Sequence, residues 1–351
     1  MARVTPKLEK RSRYGALDVA GIRRSLLKWY RKHKRDLPWR RTEDPYRIWI
    51  SEIMLQQTRV AAVIPYYERF LTLFPDAAAL ASAREQDLLA AWAGLGYYAR
   101  ARNLQKAARA IVELAQFPGD YAALVALPGI GDYTAAAVAS IAFGRPHAVL
   151  DGNVLRVLSR LGAERGDIKS QIVRGRLRVL AERLLDRKRP GEFNQALMEL
   201  GATVCVPKQP LCGDCPVRAH CQARQQGVEN QLPLSGARWS AKRQEKHLLV
   251  IEKGDKILLW QRPSGSRRLA DFWELPEPQQ IPFAKIQGLP AQFRHTIVNT
   301  TYLVEVHRAA CRSRPKGFRW LAKGGLENVP LSTIAKKALI LITRINGQCP
   351  E

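Results

Sequence analysis

Four cysteines lie within one short stretch of the chain, at Cys205, Cys212, Cys215 and Cys221. Four thiolates this close in sequence can hold one tetrahedral metal ion or one cubane iron–sulfur cluster. Structural zinc, with His220 in place of one cysteine, is the main alternative. Zinc sites usually pair two short knuckles across a longer gap, whereas only Cys212 and Cys215 form a short knuckle here. The cluster therefore predicts a metal centre and favours iron–sulfur over zinc.

Two carboxylates stand in contexts that could support acid–base chemistry. Glu52 lies among bulky apolar residues, so it occupies either the solvated face of a helix or an apolar pocket that raises its pKa. Periodicity alone favours the solvated face. Asp151 precedes Gly152 and Asn153, a position where aspartate commonly caps a helix. Neither pattern by itself separates a catalytic role from a structural one.

A glycine-containing loop precedes an alanine-rich helix that runs from Tyr133 to Phe143. Glycine lets backbone amides approach a phosphate closely, and the start of a helix adds a partial positive charge. Gly129 and Gly131 are therefore predicted to bind DNA phosphates without reading the base sequence. Tight turns of similar sequence are common, so this signal depends on its context.

The elements that must position these residues are mostly helical. Apolar residues recur at helical spacing from about Leu17 to Leu200, for example at Leu104, Ala108 and Ile111. Breaks are expected at Pro38, Pro75, Gly94 to Gly96, Pro118, Gly129 to Gly131 and Pro190-Gly191. We predict a basic tail over residues 1–16 and a helical domain over residues 17–223 that contains the cysteine loop, residues 205–221.

The pattern changes after a polar, basic linker predicted over residues 224–246. Two short apolar runs, residues 247–252 and 256–260, flank a turn and predict a hairpin. A further strand is predicted from Thr296 to Val306, and a terminal helix from Ser332 to Ile345. Residues 247–351 are therefore predicted to form a small α+β domain.

The charge of the chain favours a polyanionic partner. The chain of 351 residues carries 57 Lys plus Arg against 31 Asp plus Glu, a net charge of +26. Nucleic acid is the favoured partner, and a membrane surface is the alternative. No apolar run is long enough to span a bilayer, and the basic stretch from Met1 to Tyr14 lacks the apolar core of a secretion signal. We expect a cytoplasmic, nucleoid-associated protein that does not bind membranes.

Several segments resemble, in family order, the motifs of MutY-type adenine DNA glycosylases: residues 37–40, 51–58, 94–104, 150–154 and 193–201. The cysteine loop resembles the [4Fe–4S] loop of the endonuclease III and MutY families. Residues 258–263 and 318–320 resemble the family's Nudix-like domain more loosely, without an acidic hydrolase signature. The resemblance implies a mainly α helix-hairpin-helix glycosylase domain with an iron–sulfur loop, followed by a C-terminal α+β Nudix-like domain that recognises the lesion.

The same resemblance assigns roles to the catalytic residues. Glu52 would protonate adenine at N7 and later activate water, while Asp151 would stabilise the cationic sugar or attack it. Tyr133 and Asn153 match supporting residues around that carboxylate. The adenine must leave the duplex to be reached.

Other residues would bind the substrate. The resemblance assigns Arg35, Leu37, Trp39 and Glu199 to the adenine pocket, and Gln57 and Tyr97 to the gap left in the duplex. Four residues would bind a [4Fe–4S] cluster, namely Cys205, Cys212, Cys215 and Cys221. The implied partner is double-stranded DNA with adenine opposite 8-oxoguanine or guanine, and a monomeric enzyme is expected.

Other functions on the same scaffold fit these residues less well. An endonuclease III-like glycosylase with lyase activity carries a lysine at the position of Tyr133, and tyrosine cannot form a Schiff base. A thymine mismatch glycosylase shares the tyrosine but typically lacks the Glu52 motif and the C-terminal domain. A non-catalytic DNA-binding protein would not need Glu52 and Asp151 together. The sequence therefore predicts a monofunctional adenine DNA glycosylase, a hydrolase.

The lesion-reading segment departs from the family pattern. The family carries Phe-Ser-His, whereas this chain has Phe293-Arg294-His295. Arg294 could donate hydrogen bonds to 8-oxoguanine, bind a phosphate, or face solvent at the start of a strand. With His295 retained, we expect an altered but persisting preference for the lesion.

Overall fold

The computed structural model describes residue 14 and residues 17–236, 242–266, 269–297 and 299–346. These residues fall into two compact units. The first unit lies within Met1–Ile53 and Leu114–Ala237, and the second within Met54–Glu113 and Arg238–Glu351. Each unit therefore combines two separate stretches of the chain.

The described part of the chain up to residue 236 is helical, as the periodicity predicts. The α-helices are α1 Val19–His33, α2 Pro45–Leu55, α3 Val60–Leu73, α4 Ala77–Ser82, α5 Glu85–Trp92, α6 Ala99–Glu113, α7 Tyr121–Val125, α8 Asp132–Phe143, α9 Gly152–Leu161, α10 Gln171–Leu184, α11 Pro190–Thr203 and α12 Gln222–Gln225. Short 3₁₀ turns cover Pro38–Arg40 and Arg218–His220. Pro190 is the first residue of α11, where its missing N–H costs no helical hydrogen bond.

The core of the first unit fixes the ends of two helices that matter for chemistry. Residues 134–140 of α8 are all buried, and the small alanine side chains there let neighbouring helices approach closely. Helix α9 buries Val154, Leu158 and Leu161 in the same core. The beginnings of α8 and α9 carry Tyr133 and Asp151, so packing of these helices places both side chains.

The second unit joins helices α3 to α6 with the C-terminal part of the chain. The rings of Tyr98 and Phe272 lie 4.0 Å apart between centroids. The guanidinium of Arg102 donates a 2.8 Å hydrogen bond to the carbonyl of Ala270. Residues 54–113 therefore group with the C-terminal part of the chain, and the domain boundary at residue 223 stays a prediction.

A six-stranded sheet forms the rest of the second unit. Its strands are β1 Lys242–Lys253, β2 Lys256–Gln261, β3 Trp273–Glu274, β4 Lys285–Ile297, β5 Thr300–Ala310 and β6 Phe318–Ala322, with helix α13 Thr333–Asn346 and 3₁₀ turns at Pro278–Gln280 and Lys323–Asn328. The strand order is β3-β2-β1-β5-β4, and β6 pairs with β2. Strands β1 and β5 are parallel, whereas the other paired strands are antiparallel.

Two strand predictions need correction. The predicted hairpin is present, but β1 already begins at Lys242, inside the segment predicted as linker. The predicted strand from Thr296 to Val306 is not one strand, because Ile297 pairs with Thr300 and the chain reverses between them. β-Branched residues on both sides of this reversal gave no contrast in strand propensity.

The ends of the described chain agree only in part with expectation. The predicted tail lies outside the described residues except for Tyr14, which is buried and donates a 2.8 Å hydrogen bond to Glu164. Helix α13 matches the predicted terminal helix, with the Ser332 hydroxyl accepting from the Ala335 amide at 3.1 Å. Within the described residues, no helix is long and apolar enough to cross a membrane.

Candidate active site

Helix α2 places Glu52 in an apolar environment. The helix is buried on all faces around this residue, with Trp49, Ile50 and Met54 fully enclosed. Only 5% of Glu52 is exposed. The solvated face that periodicity favoured is therefore wrong, and the apolar pocket is what the structure has.

The carboxyl of Glu52 has one close polar partner. The Tyr133 hydroxyl donates a hydrogen bond to Glu52 Oε2 at 2.6 Å and also lies 3.3 Å from Met198 Sδ. Burial raises the pKa of Glu52 to about 7, opposed by the Tyr133 hydrogen bond, while the charge of Asp151 raises it further and Arg40 lowers it. Glu52 can therefore carry a proton near neutral pH.

Asp151 is the N-cap of helix α9, as the sequence pattern allowed. Its Oδ1 accepts from the Val154 amide at 2.7 Å, and its Oδ2 accepts from Asn153 Nδ2 at 3.0 Å. The pKa of Asp151 is raised, because burial outweighs the lowering effect of the backbone amides of Val154 and Asn153 and of the Asn153 side chain. Capping and chemistry are compatible here, because the groups that cap the helix also stabilise the carboxylate.

The two carboxyl groups differ in how many donors hold their charged form. Asp151 receives hydrogen bonds from a helix start and a side-chain amide, while Glu52 receives one from Tyr133. The less supported group retains its proton at the higher pH. One buried acid near one half-buried carboxylate is an arrangement that can support cleavage of a glycosidic bond.

Arg156 connects Asn153 to the cysteine loop. Its guanidinium donates to Asn153 Oδ1 at 2.9 Å, to the carbonyl of Gly201 at 2.7 Å and to the carbonyl of Cys205 at 2.8 Å. These bonds fix the orientation of the Asn153 amide, so that its Nδ2 faces Asp151. The loop thus reaches the candidate active site through a single side chain.

The cysteine loop itself contains free thiols at all four predicted positions, Cys205, Cys212, Cys215 and Cys221. Arg160, only 2% exposed, donates to Cys205 Sγ at 3.3 Å and to the Val206 carbonyl at 2.7 Å. Four cysteine sulfurs are soft donors of the kind that zinc and iron–sulfur clusters take. The donor set therefore fits a group bound through sulfur.

Zinc is the alternative to a cluster at the cysteine loop. His220, the alternative zinc ligand, lies 3.9 Å from Asp18, measured from Nδ1 to Oδ2. The choice between zinc and an iron–sulfur cluster stays a prediction.

The predicted adenine-pocket residues meet around a buried ion-pair network. Glu199 is fully buried and accepts from Arg35 at 2.7 Å and from Arg40 at 2.7 Å. These bonds lower the pKa of Glu199 to about 2, against the effect of burial. Leu37 and Trp39, which lie between Arg35 and Arg40 in the sequence, are also buried. Glu199 therefore positions two arginines here, and Arg40 is close enough to Glu52 to lower its pKa.

In the second unit, Gln57 and Tyr97 stand on two strained loops. Their φ angles are 57° and 50°, in the left-handed region that non-glycine residues rarely adopt. Arg100 ties the loops together by donating to the carbonyls of Gln56 at 2.7 Å and Leu95 at 3.0 Å. Its guanidinium also lies 5.7 Å from the centre of the Tyr97 ring, which is 45% exposed.

The predicted phosphate-binding glycines differ in conformation. Gly129 has a φ of 76°, so it needs the freedom of glycine to close the turn before α8. Gly131 is the N-cap of α8 with extended backbone, and a Cβ there would meet open space. Gly131 therefore leaves room for a ligand beside the helix start rather than serving the turn.

The segment predicted to read the lesion, Phe293 to His295, lies near the C-terminal end of β4, not at its start. Phe293 and His295 face helix α13, and His295 Nδ1 lies 3.2 Å from Lys337 Nζ. Burial, with a smaller effect of Lys337, lowers the pKa of His295. Arg294 alternates to the opposite face of the sheet and is exposed.

Sequence reasoning missed three arginines that organise these sites. Arg40 lay inside a quoted motif without a role, and its position beside Trp39 in an apolar stretch was the available signal. Arg156 and Arg160 stand four residues apart on α9, on one face of the helix. That spacing equally predicts a solvated basic stripe, so only the tertiary structure identifies their partners.

Comparisons with known proteins agree with this chemistry. A family model described as HhH-GPD superfamily base excision DNA repair protein matches residues 50–183. The adenine DNA glycosylase of Homo sapiens is 37% identical over 402 residues, covering 91% of this chain and 73% of the relative. That of Mus musculus is 36% identical over 399 residues, covering 91% and 77%. A solved thermostable thymine-DNA glycosylase is 30% identical with a TM-score of 0.54, covering 59% of this chain and 97% of that one.

Proposed function

The chain belongs to the adenine DNA glycosylase family, and we propose that it hydrolyses the N-glycosidic bond of adenine opposite 8-oxoguanine or guanine in double-stranded DNA. It is a DNA N-glycosylase of base excision repair. The identity of the base opposite the adenine is part of the proposal. The observation that carries the mechanism is the buried Glu52, bonded to Tyr133, together with the separately supported Asp151.

Glu52 acts as the proton donor in this proposal. Adenine leaves poorly as an anion, so N7 must be protonated as the bond breaks. With its pKa raised to about 7, Glu52 carries the required proton at neutral pH. Tyr133 holds the carboxyl in place at 2.6 Å. After departure of the base, the Glu52 carboxylate accepts a proton from the attacking water.

Asp151 acts on the sugar. Loss of the base leaves positive charge at C1′, which a nearby carboxylate stabilises or captures as a covalent adduct. Asn153 and the start of α9 hold Asp151 in the ionised form that this role needs. Water then displaces the carboxylate, and the products are free adenine and an abasic site.

The same residues argue against strand cleavage. A lyase step needs an amine that forms a Schiff base with C1′. Tyr133 stands at the position where the lyases of this superfamily carry lysine, and it offers a phenol. The thymine-specific interpretation is also weaker, because the thymine enzyme matches 59% of this chain while the adenine relatives match 91%.

The remaining predicted residues bind and expose the substrate in this proposal. Arg35, Leu37, Trp39 and Glu199 would border the extruded adenine, and Gly129 and Gly131 would bind a phosphate at the start of α8. Gln57 and Tyr97 would fill the gap in the duplex. Arg100 would hold their two strained loops in place through its contacts with the Gln56 carbonyl and the Tyr97 ring. Arg294 and His295 would read the opposite base, Arg294 from the exposed face of β4 and His295 by shaping the strand behind it.

We also propose a [4Fe–4S] cluster held by Cys205, Cys212, Cys215 and Cys221. When bound, such a cluster supplies one-electron redox chemistry and a cross-link within the loop. Arg160 donates a hydrogen bond to Cys205 Sγ, and Arg156 links the loop to Asn153 through hydrogen bonds. The proposed hydrolysis itself uses no electron from the cluster.

The test is a single-turnover assay on duplexes with one adenine opposite 8-oxoguanine or guanine. We expect Glu52→Gln and Asp151→Asn each to lower excision by at least about 100-fold while DNA binding persists. Glu113→Gln, an exposed acid outside the site, should leave the rate unchanged. Near-normal excision by either site variant would disprove the assignment of the two carboxylates.

A further inference from the structure

The C-terminal sheet brings together two histidines and a glutamate that the glycosylase chemistry does not use. His247 lies on β1, and Glu305 and His307 lie on β5. Their ligand atoms all lie within 4.8 Å of one another. From this geometry we propose that His247, Glu305 and His307 form a binding site for one divalent transition-metal ion of the zinc type.

The strand register explains why the three side chains converge. Strands β1 and β5 are parallel, and His247 pairs with Glu305 while Leu249 pairs with His307. Glu305 and His307 are two residues apart, so they project from the same face of the sheet. The arrangement is therefore built into the central strand pair and does not depend on a loop.

Two of the three distances between ligand atoms are close to those of tetrahedral coordination. His247 Nδ1 lies 3.0 Å from Glu305 Oε2, and His307 Nε2 lies 3.7 Å from the same oxygen. Two ligands of tetrahedral zinc at ~2.0–2.2 Å from the ion are about 3.3–3.5 Å apart. Shifts of a few tenths of an ångström would bring these two contacts to that separation, and the two imidazole nitrogens, which lie within 4.8 Å of each other, would have to approach to it as the ion binds. The two imidazole rings are nearly parallel, at 27°, with centroids 6.0 Å apart.

A neighbouring residue orients the carboxylate. Gln292 on β4 pairs with Glu305 and donates a 2.7 Å hydrogen bond to its Oε1. The other oxygen, Oε2, is thereby directed to the two imidazoles. A ligand held by a second hydrogen bond in this way is a regular feature of metal sites. Gln292 is thus a positioning residue for the proposed ion.

The chemistry of the set selects the ion. Two imidazoles and one carboxylate suit zinc and its transition-metal neighbours better than magnesium or calcium, which prefer all-oxygen ligands. Exposed side-chain fractions of 44% for His247, 25% for Glu305 and 15% for His307 leave access for the ion. Three protein ligands leave one tetrahedral position for water or another oxygen.

Hydrogen bonding alone is the competing explanation. Glu305 could accept an N–H from each ring without any metal. The three residues would then have no special affinity for zinc. The two explanations differ in zinc affinity and in how it responds to each ligand. The proposed site lies close to Arg294 along β4, since Gln292 is two residues from Arg294 on the same face of the strand.

The experiment is a zinc titration of the full-length protein, purified with its iron complement and freed of loosely bound metal with a chelator. Calorimetry with Zn²⁺, and absorption spectra with Co²⁺ as a second probe, should detect one ion per chain in addition to iron. His247→Ala, Glu305→Gln and His307→Ala should each weaken binding by at least about 10-fold, and Gln292→Ala by about 10-fold. His33→Ala removes an exposed histidine on α1 and serves as the matched control.

Iron content and the thermal midpoint in chelator are measured for every variant, so that loss of the cluster or of the fold is recognised. Glu305→Gln keeps the size of the side chain and preserves the test if a histidine variant does not fold. No zinc uptake by the native chain, or equal uptake by native chain and all ligand variants, would overturn the proposal. Cobalt spectra that indicate sulfur ligation would overturn it as well.

Discussion

The guanidinium of Arg156 donates a 2.8 Å hydrogen bond to the carbonyl oxygen of Cys205. The same group donates to the side chain of Asn153, which in turn donates to Asp151. The position of Cys205, a proposed cluster ligand, is thereby linked to the orientation of Asp151, the carboxylate proposed to act on the sugar. Loss of order in the cysteine loop should therefore affect chemistry as well as DNA binding.

Arg156→Lys tests this link. Lysine keeps the positive charge but cannot donate to several acceptors in a planar fork, so the Asn153 amide should lose its fixed orientation. We expect excision in single turnover to fall about 10- to 100-fold, with iron content preserved. Arg165→Lys, an exposed arginine bonded to Gln226, is the control. A rate equal to that of the control variant would show that Arg156 has no part in positioning Asp151.

Tyr133→Phe should move the pH profile of excision. The Tyr133 hydrogen bond lowers the pKa of Glu52, while burial raises it to about 7. Without the hydroxyl, the pKa of Glu52 should rise, so activity should persist to higher pH before the acid loses its proton. The single-turnover rate is measured from about pH 5 to about pH 9. Tyr121→Phe removes a hydroxyl from an exposed pair with Asp132 and should leave the profile in place. A downward shift or no shift in Tyr133→Phe contradicts the assignment.

Glu52 should also make the folded protein less stable at high pH. Its pKa is about 7 in the folded state against an ordinary 4.5, so the folded state binds the proton more tightly than the unfolded chain. The stability from this group is full below pH 4.5 and is lost as the pH rises through about 7. In Glu52→Gln, the free energy of unfolding should therefore decrease less between about pH 5 and about pH 8 than in the native chain. Denaturation curves measure this difference, with Glu113→Gln as control. Identical pH dependence in all three proteins would mean that Glu52 titrates normally.

Cys212→Ala should remove the cluster. The native protein should be brown and contain iron and sulfide in a roughly four-to-four ratio, since four thiolates hold a cubane. The variant should lose the colour and bind duplex DNA more weakly, because the loop is no longer cross-linked. Cys311→Ala, a cysteine at the end of the sheet, should keep full iron content. Stoichiometric zinc instead of iron in protein purified without oxygen would exclude the iron–sulfur assignment.

Arg294→Ala should alter the choice between mispairs more than the chemistry. Arg294 is exposed on β4 and far in sequence from the carboxylates, so excision opposite guanine should change little. We expect the preference for 8-oxoguanine over guanine to decrease several-fold, by analogy with the loss of one guanidinium contact to a base edge. Lys316→Ala, which removes one exposed charge from the loop before β6, is the control. Equal weakening on both mispairs would assign Arg294 to phosphate binding.

The sequence indicated the residues of the candidate site better than the contacts that hold them in place. Glu52 and Asp151 were paired by resemblance, and the structure places them near enough for Asp151 to raise the pKa of Glu52, whereas periodicity put Glu52 on a solvated face. Burial of α2 on all sides is a tertiary property that local spacing does not encode. The same holds for Arg160, whose partners are backbone carbonyls of a loop 46 residues away in sequence.

The fold was predictable where local signals were strong. Proline and glycine marked the helix boundaries, and Lys253 pairs with Lys256 across the expected turn. The reversal between Ile297 and Thr300 was missed because β-branched residues continue through it, with Asn299 as the sole turn signal. The grouping of residues 54–113 with the C-terminal part depends on contacts such as Tyr98 with Phe272, which no local pattern reveals.

The interleaved connectivity of the two units has a consequence for synthesis on the ribosome. Residues up to Ile53 share their unit with the chain beyond Leu114. Helices within residues 54–113 contact one another, as Phe70 does Trp92, but their C-terminal partners emerge only beyond Arg238. Helices α3 to α6 therefore leave the ribosome long before Phe272 can cover Tyr98. Nascent chains should expose apolar surface for much of translation, which makes them clients for chaperones. Premature termination anywhere before the last strands leaves the second unit incomplete and a target for proteolysis.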